Sequence, residues 1–325
     1  IMENILEIKD LHTYFYTQGS VIKAVEGVSF SVKKGEVLGL VGESACGKTV
    51  TASSIMRLIA PPGEIVKGQI FFDGKDLLKL SSPCMRRLRG NKISMIFQES
   101  QAALNPLYTI GFQIEEMIKI HKNIPKSQIR PLALELLRKV GVNPPDLRIK
   151  DYPHNLSGGQ AQRVMIAMAI SCNPALLIAD EPTTALDVTI QAQIMELFTQ
   201  LRQDFNFTLI FITHNLALCS QVATCVAIMY GGRIVELAPK DEIFTNPLHP
   251  YTQALFSSIP RGMPRGNSGK SEFKVIQGVV PDASSKPKGC YFHPRCCLRK
   301  EVCTEGYPEF IEARPEHWVS CFMAG

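Results

Sequence analysis

Eight residues, Gly42-Glu-Ser-Ala-Cys-Gly-Lys-Thr49, satisfy the spacing G-x-x-x-x-G-K-S/T. In such a loop the backbone N–H groups cradle phosphate oxygens, so the interior side chains of Glu43, Ser44, Ala45 and Cys46 are free of that duty. Lys48 brings positive charge to the β- and γ-phosphates, and the Thr49 hydroxyl is a ligand for Mg²⁺. The helix that begins here and runs on through Val50 adds the partial positive charge of its N-terminus. Alanine resists positive φ, so Ala45 is expected in helical or extended backbone. Cys46 reads as a small spacer whose thiol, near Lys48 and a helix start, is expected to have a lowered pKa.

Two more clusters could act on a phosphate. LLIADEP ends an apolar run in a pair of acids. Asp180 at that strand end is placed to hold Mg²⁺, and Glu181 to orient and deprotonate an attacking water. LSGGQ puts Ser157, Gly158, Gly159 and Gln160 ahead of a long helical pattern. An exposed helix start without bulky side chains can bind a second anion, although a plain N-cap would look the same.

The surrounding pattern supplies elements to position these groups. ILEIKDLHTYFY and AVEGVSFSVKKG read as strands, and EVLGLVG is a short buried strand leading straight into the glycine-rich loop. KTVTASSIMRLIA then reads as a helix. QIFFDG (69–74) is a strand closed by an Asp-Gly turn, and ISMIFQ (93–98) is a strand ending in Gln98. Helical patterns fill the stretch from about 99 to 156. ALLIAD (175–180) and TLIFITH (208–214) are apolar strands ending in an acid and in His214. Apolar strands alternating with helices imply an α/β fold whose mainly parallel sheet binds ligands at the carboxyl ends of its strands.

Composition narrows the function classes. The balance of 35 basic and 30 acidic residues, a net +5, is too mild to argue for nucleic acid. No apolar run reaches the roughly 18 residues of a membrane span. Val164 to Ala179 comes nearest and is broken by Ser171, Asn173 and Pro174. The N-terminal MENILEIKD, in which Met2 reads as the initiator, has no signal-peptide core, so the protein is expected in the cytoplasm or peripheral to a membrane. Ten cysteines then argue against structural disulfides. Cys84, Cys172, Cys219 and Cys225 are scattered, whereas Cys290, Cys296, Cys297, Cys303 and Cys321 crowd the C-terminal end.

Taken together, these motifs resemble the nucleotide-binding subunits of ABC transporters, over nearly the whole chain. GESACGKT corresponds to the Walker A loop, LLIADE to Walker B and LSGGQ to the family signature. The resemblance implies that Gln98 is the Q-loop residue, Asp187 of TALD the D-loop acid, and His214 of ITHNLAL the switch histidine. It makes Phe15 the aromatic that stacks on adenine, with Tyr14 or Tyr16 as the alternatives if the register shifts by one. It implies a P-loop (RecA-like) α/β core with an antiparallel β subdomain, a helical signature subdomain and a small Cys-rich extension. ATP and Mg²⁺ are the expected ligands, with Mg²⁺ on Thr49, Gln98 and Asp180. Glu181, His214, Lys48 and Gln98 are the expected catalytic set, and Gly42 to Val50 with Ser157 to Gln160 and Asp187 line the nucleotide. Two cassettes would face head to tail, each ATP lying between one Walker pair and the partner's signature. Ala45 stands where the family usually has glycine, and Asn215 where it mostly has aspartate.

A narrower likeness runs through MIFQES…ALNPLYTIG, HPYTQAL (249–255), SIP (258–260) and GCYFHPRC (289–296). These resemble cassettes of dipeptide, oligopeptide and nickel importers, and IMRLIAPPGEIVKGQIFFDGKDL resembles the first of their two cassette subunits. The cysteines fall as Cys290-x5-Cys296-x6-Cys303-x17-Cys321. Four thiolates suit zinc or an iron–sulfur cluster, and the first gap is wider than a zinc knuckle usually has. The resemblance implies a 4Fe-4S cluster on these four, with zinc as the alternative and Cys297 as a spare thiol. The expected domains are residues 1–260, the nucleotide-binding domain with a helical subdomain at about 99–170, and 261–325, a linker and Cys-rich extension. The expected function is ATP hydrolysis powering import of di- or oligopeptides, or of nickel or an oligosaccharide by the same mechanism. Expected partners are a second cassette subunit in a heterodimer, two membrane permease subunits touching residues 99–117, and an extracytoplasmic binding protein, with no nucleic acid. That places the chain on the cytoplasmic face of the membrane. A soluble ABC protein of ribosomes or DNA would need fused cassettes or coiled coils, and a small-molecule kinase would lack LSGGQ.

Overall fold

The computed structural model describes residues 3–258 and 276–324. The expected flexible linker at 261–272, the end of SIP and the residues before Glu3 lie outside the described residues. Twelve strands are present among the described residues. They are β1 (Asn4–Thr17), β2 (Ser20–Lys33), β3 (Val37–Val41), β4 (Gly63–Phe72), β5 (Lys75–Asp76) and β6 (Ile93–Ile96). They continue as β7 (Leu176–Asp180), β8 (Thr208–Thr213), β9 (Cys225–Tyr230), β10 (Arg233–Pro239), β11 (Ile311–Arg314) and β12 (His317–Val319). The chain divides into two compact units, one of Ile1–Glu7, Ser31–Val37 and Ile70–Thr213, the other of Ile8–Phe30, Leu38–Gln69 and His214–Gly325.

In the first unit β6, β7 and β8 pair in parallel, with Met95 opposite Ile178 and Asp180 opposite Ile212. All three strands are buried along their whole length, which is why they read as unbroken apolar runs. β6 stops at Ile96, two residues short of the expected end, leaving Gln98 exposed in the following loop. Between β6 and β7 come helices Ile110–His121, Lys126–Lys139 and Gly158–Ile170. In the first of these, Ile110, Ile114 and Ile118 recur every fourth residue and are fully buried, the apolar stripe that lets the helix pack. β4 and β5 pair antiparallel around Asp73 and Gly74, both at positive φ (48° and 74°), the hairpin expected of Asp-Gly.

In the second unit β3 runs parallel to β9, with Val41 opposite Ile228. β9 turns at Gly231 and Gly232 (φ 56° and 86°) into the antiparallel β10. β12 then pairs with β10, Glu236 opposite Val319, and β11 with β12. The C-terminal segment therefore extends the sheet that carries the phosphate loop. The helix after that loop covers only Lys48–Ile55, shorter than KTVTASSIMRLIA suggested, because Arg57 turns left-handed at φ 50°. Among the described residues no helix is long and apolar enough to cross a membrane.

Candidate active site

The phosphate loop follows β3 in the second unit. Gly42 has no room for a side chain, since a Cβ would lie 2.2 Å from the Met229 carbonyl oxygen. Gly47, at φ 103°, would place one 2.4 Å from the Ala24 carbonyl oxygen. Both glycines of the motif are thus required by close backbone approach. Lys48 is 4% exposed, and its Nζ donates to the carbonyl oxygens of Gly42 at 2.8 Å and Glu43 at 3.0 Å. Those contacts curl the lysine over its own loop. Ser44, Ala45 and Thr49 are exposed, and Val50 is half-buried.

Two expectations about this loop are corrected. Ala45 sits at φ 62°, in left-handed rather than helical or extended backbone, so the turn's geometry prevails over alanine's preference. Cys46 is 1% exposed, and burial pushes its thiol pKa up, outweighing the opposing pull of Lys48. A neutral, buried thiol is a packing residue and lacks the thiolate character that oxidation needs.

The acids lie in the first unit. Asp180 ends β7 and is 2% exposed. Glu181 adopts φ 46°, and its N–H donates to the Ile212 carbonyl at 3.0 Å. Its Oε2 accepts from Thr184 Oγ1 at 2.9 Å and from Gln98 Nε2 at 3.3 Å. The structure therefore brings together Gln98 and Glu181, and it holds Glu181 in a sparsely populated conformation of the kind that concentrates at reactive positions.

Ser157 caps the helix Gly158–Ile170. Its Oγ accepts from the Gln160 N–H at 3.3 Å, while Gln160 Oε1 accepts from the Ser157 N–H at 3.1 Å. Gly159 lies against Ile190, where a Cβ would come within 2.9 Å of Cγ2, and Gly158 faces Leu186. The signature turn and the TALD segment are neighbours for that reason. Asp187 itself caps the next helix, accepting from the Ile190 N–H at 2.9 Å.

His214 follows β8 directly and is exposed. Asn215 behind it caps a helix, its Oδ1 accepting from the N–H groups of Ala217 and Leu218. Asparagine keeps the capping role without the charge. Phe15 lies against Gly63, where a Cβ would be 2.6 Å from its ring, and Tyr16 beside it is 46% exposed.

Cys290, Cys296, Cys303 and Cys321 line one small cavity, walled otherwise by His249, Phe292, Leu298, Pro308, Phe322 and Met323. All four thiols are free, and Cys297 is exposed. Burial pushes the Cys290 thiol up to about 11 and raises those of Cys296 and Cys321. Among the described residues no group of three or more His, Cys, Asp or Glu is arranged to hold a metal ion.

Two buried carboxylates that the sequence reading passed over hold this segment down. Glu26 accepts from the Tyr291 hydroxyl at 2.8 Å, Arg233 at 3.1 Å and Lys286 at 3.2 Å. Those partners hold its pKa below the usual carboxylate range despite the opposing effect of burial. Glu236, with no exposed surface, accepts from the N–H groups of Leu248 and His249 and pairs with His317 at 2.7 Å. Neither acid carries a local signal, because its partners come from distant segments.

Residues 25–184 match the family described as ABC transporter, and residues 235–303 match the oligopeptide/dipeptide transporter C-terminal region. The chain is 46% identical over 323 residues to the dipeptide transport ATP-binding protein DppD of Bacillus subtilis (strain 168), covering 99% of this chain and 95% of that protein. It is 48% identical over 305 residues to DppD of Haemophilus influenzae, covering 94% and 91%. A dimeric ATP-binding cassette solved in a post-hydrolysis state with ADP and Pi shares the fold, with a TM-score of 0.66 and 25% identity over 72% of this chain and 98% of that one. Fold and loop together define an ATP-binding cassette. The chain belongs to the ATP-binding proteins of ABC transporters, in their oligopeptide/dipeptide transporter family, and such subunits are ATPases coupled to transport. The likeness read from GESACGKT, LLIADE, LSGGQ and GCYFHPRC is borne out.

Proposed function

We propose that this chain is the first of two cassette subunits that power import of dipeptides and oligopeptides through a membrane transporter. The observation that carries this reading is the joining of a nucleotide loop to a C-terminal region matched as oligopeptide/dipeptide transporter over 235–303. The names of the relatives, dipeptide transport ATP-binding proteins, support it.

Lys48 and the amides of Gly42 to Thr49 would hold the β- and γ-phosphates, and Phe15 would stack on adenine. Thr49, Asp180 and Gln98 would hold Mg²⁺, which supplies charge neutralisation at the phosphates. Glu181 orients the attacking water and takes its proton, while His214 and Gln98 report the state of the γ-phosphate. Ser157, Gly158, Gly159 and Gln160, with Asp187, complete the site of a partner cassette, in a heterodimer that ATP closes and hydrolysis opens.

The other partners are two permeases and an extracytoplasmic binding protein. Residues 99–117 would meet the permease on the cytoplasmic face of the membrane. Supporting this, Leu107, Tyr108 and Phe112 are 79%, 47% and 44% exposed, with the two rings stacked at 4.6 Å. The division into 1–260, with its helical part at 99–170, and 261–325 belongs to the same proposal.

Cys290, Cys296, Cys303 and Cys321 would hold a 4Fe-4S cluster, zinc being the alternative. The chemistry of the donors, four free thiols lining one cavity, supports this reading, although among the described residues they are not arranged to hold a metal ion. The group would be structural, and no step of hydrolysis runs through it. Iron and sulfide in anaerobically purified protein support the cluster, and zinc or no metal removes it.

The cargo is tested by ATPase activity of the complex reconstituted with permeases and binding protein. Short peptides should stimulate it while Ni²⁺ and oligosaccharides do not. Stimulation by nickel or sugar with peptides inert would overturn the cargo and leave the residue roles standing.

A further inference from the structure

The short turn His293–Arg295 lies between two of the pocket cysteines, Cys290 and Cys296. Its last residue does not face solvent, for the Arg295 side chain is only 4% exposed. Nη1 donates to Glu43 Oε2 at 2.7 Å and Nη2 to Glu43 Oε1 at 3.0 Å, a two-pronged pair across 252 positions of sequence. Nη1 also donates to the Tyr230 hydroxyl at 3.3 Å, and Nε to the Gln277 carbonyl oxygen at 3.2 Å. Gly278, at φ 84°, leaves space for the stem, since a Cβ there would come within 3.2 Å of Arg295 Cγ. Only a planar guanidinium can make this set of contacts, and a lysine would keep the charge without the fork.

Glu43 is the first residue after Gly42 in the phosphate loop. Its N–H donates to the hydroxyl of buried Tyr251 at 3.1 Å, and its carbonyl accepts from Lys48 Nζ at 3.0 Å. The loop is thus gripped at one residue through amide, carbonyl and side chain. Phosphate binding gives no reason for a carboxylate here, because a negative charge beside an anion site repels the ligand unless it is neutralised. Arg295 neutralises it and fixes its direction.

We propose that Arg295 is a positioning residue of the phosphate loop, and that its pair with Glu43 lets the cysteine-lined C-terminal segment set the affinity for nucleotide. Cys290 and Cys296 bracket the turn, so a shift of either moves the guanidinium. Two parallel hydrogen bonds tolerate little displacement before one is lost. The loop is then no longer held at Glu43, and the direction of its amides toward the phosphates is lost whichever partner of the pair is removed. This inference uses the ATP-binding role alone and is independent of the cargo and of which metal the cysteines take.

The test measures binding of a fluorescent ATP analogue with Mg²⁺ to the purified full chain. Arg295→Met should weaken binding about tenfold, the effect of losing one charge-assisted contact, with Arg295→Lys in between. Glu43→Gln should weaken it similarly, and the double variant should be no worse than the weaker single, as expected of residues acting as one unit. In ATP hydrolysis the KM for ATP should rise while kcat stays within about twofold, whereas a general loss of folded protein lowers kcat and leaves KM alone. Serine at both Cys290 and Cys296 should weaken nucleotide binding in the native chain and have no further effect in the Glu43→Gln chain. If Arg295→Met does not fold by circular dichroism, the half-exposed Glu43 and the cysteine pair in two backgrounds carry the test. Native affinity in Glu43→Gln, additive losses, or an equal cysteine effect in both backgrounds would each overturn the proposal.

Discussion

Two helices of this chain start at residues proposed to meet phosphate, and they start differently. The helix Lys48–Ile55 begins after Gly47, in left-handed backbone, with no side-chain hydrogen bond capping it. The helix Gly158–Ile170 begins after Ser157 with a reciprocal capping box to Gln160. An uncapped start leaves its N–H groups directed at whatever anion arrives. The capping box satisfies the N–H groups of Ser157 and Gln160, so only those of Gly158 and Gly159 stay directed at an arriving anion. On the proposed roles, the first start suits resident nucleotide and the second a contact made and broken once per cycle. A third start sharpens the contrast. At Pro250 the cap is the ring of His249, whose Nδ1 accepts from the Tyr251 N–H at 3.0 Å.

The largest effect should come from crowding the open start. Gly47→Ala adds a Cβ 2.4 Å from the Ala24 carbonyl oxygen at φ 103°. Strain and overpacking together should cost about 3 kcal/mol, with ATP affinity down by at least about tenfold. Urea denaturation and nucleotide titration measure both. Unchanged stability would mean the loop has slack that its contacts do not show.

Next in size is the histidine cap. Burial pushes the His249 pKa down to about 3, while its Nδ1 must stay unprotonated to accept. In the unfolded chain the ring protonates near its ordinary value of 6.5. The folded pKa is lowered, so the stabilisation is complete above about pH 6.5 and fades as pH falls toward the folded value. At pH 5 about 2 kcal/mol should be gone. His249→Asn keeps a cap and removes the titration. The urea midpoint of the native chain should therefore fall more between pH 7 and pH 5 than that of the variant. Parallel slopes would show that His249 protonates in place.

The capped start separates its two roles more gently. Ser157→Ala should lose about 1 kcal/mol of stability along with ATP-driven dimerisation. Ser157→Asp should keep stability within about 0.5 kcal/mol, since aspartate caps equally well and suits the helix dipole. It should nevertheless abolish dimerisation in the complex, because a carboxylate then meets the partner's phosphates. Full ATPase activity in Ser157→Asp would reduce the signature to a plain N-cap.

The helix starts and their strands were legible because each is a local event. VLGLV, ISMI and TLIFIT are apolar from end to end, and the residues that follow them define the motifs. The C-terminal strands were not legible. β11 is exposed at every position and exists only by pairing with β12, which in turn pairs with β10 some eighty residues earlier. Glu26, Glu236 and Arg295 escaped for the same reason, since an ion pair between distant segments leaves no periodicity to read. Arg295 stands inside GCYFHPRC, a stretch that carries the narrower family likeness, and its partner inside GESACGKT, whose glycines define the phosphate loop.

The smallest expected effect bears on the residue where local preference was the wrong guide. Ala45 at φ 62° carries the steric penalty of left-handed backbone, about 1 kcal/mol for an L-residue with a Cβ. Glycine removes that penalty and also widens the unfolded ensemble, which returns part of the gain. Ala45→Gly should thus stabilise the chain by about 0.5 kcal/mol. The alanine side chain is exposed and makes no packing contribution that glycine would forfeit. Since the native backbone is already in the glycine-like region, ATP affinity should change by less than about twofold. A loss of stability in urea would mean that Ala45 limits how far the loop opens when empty. In that case the open helix start depends on a stiff residue ahead of it as much as on the glycines at its ends.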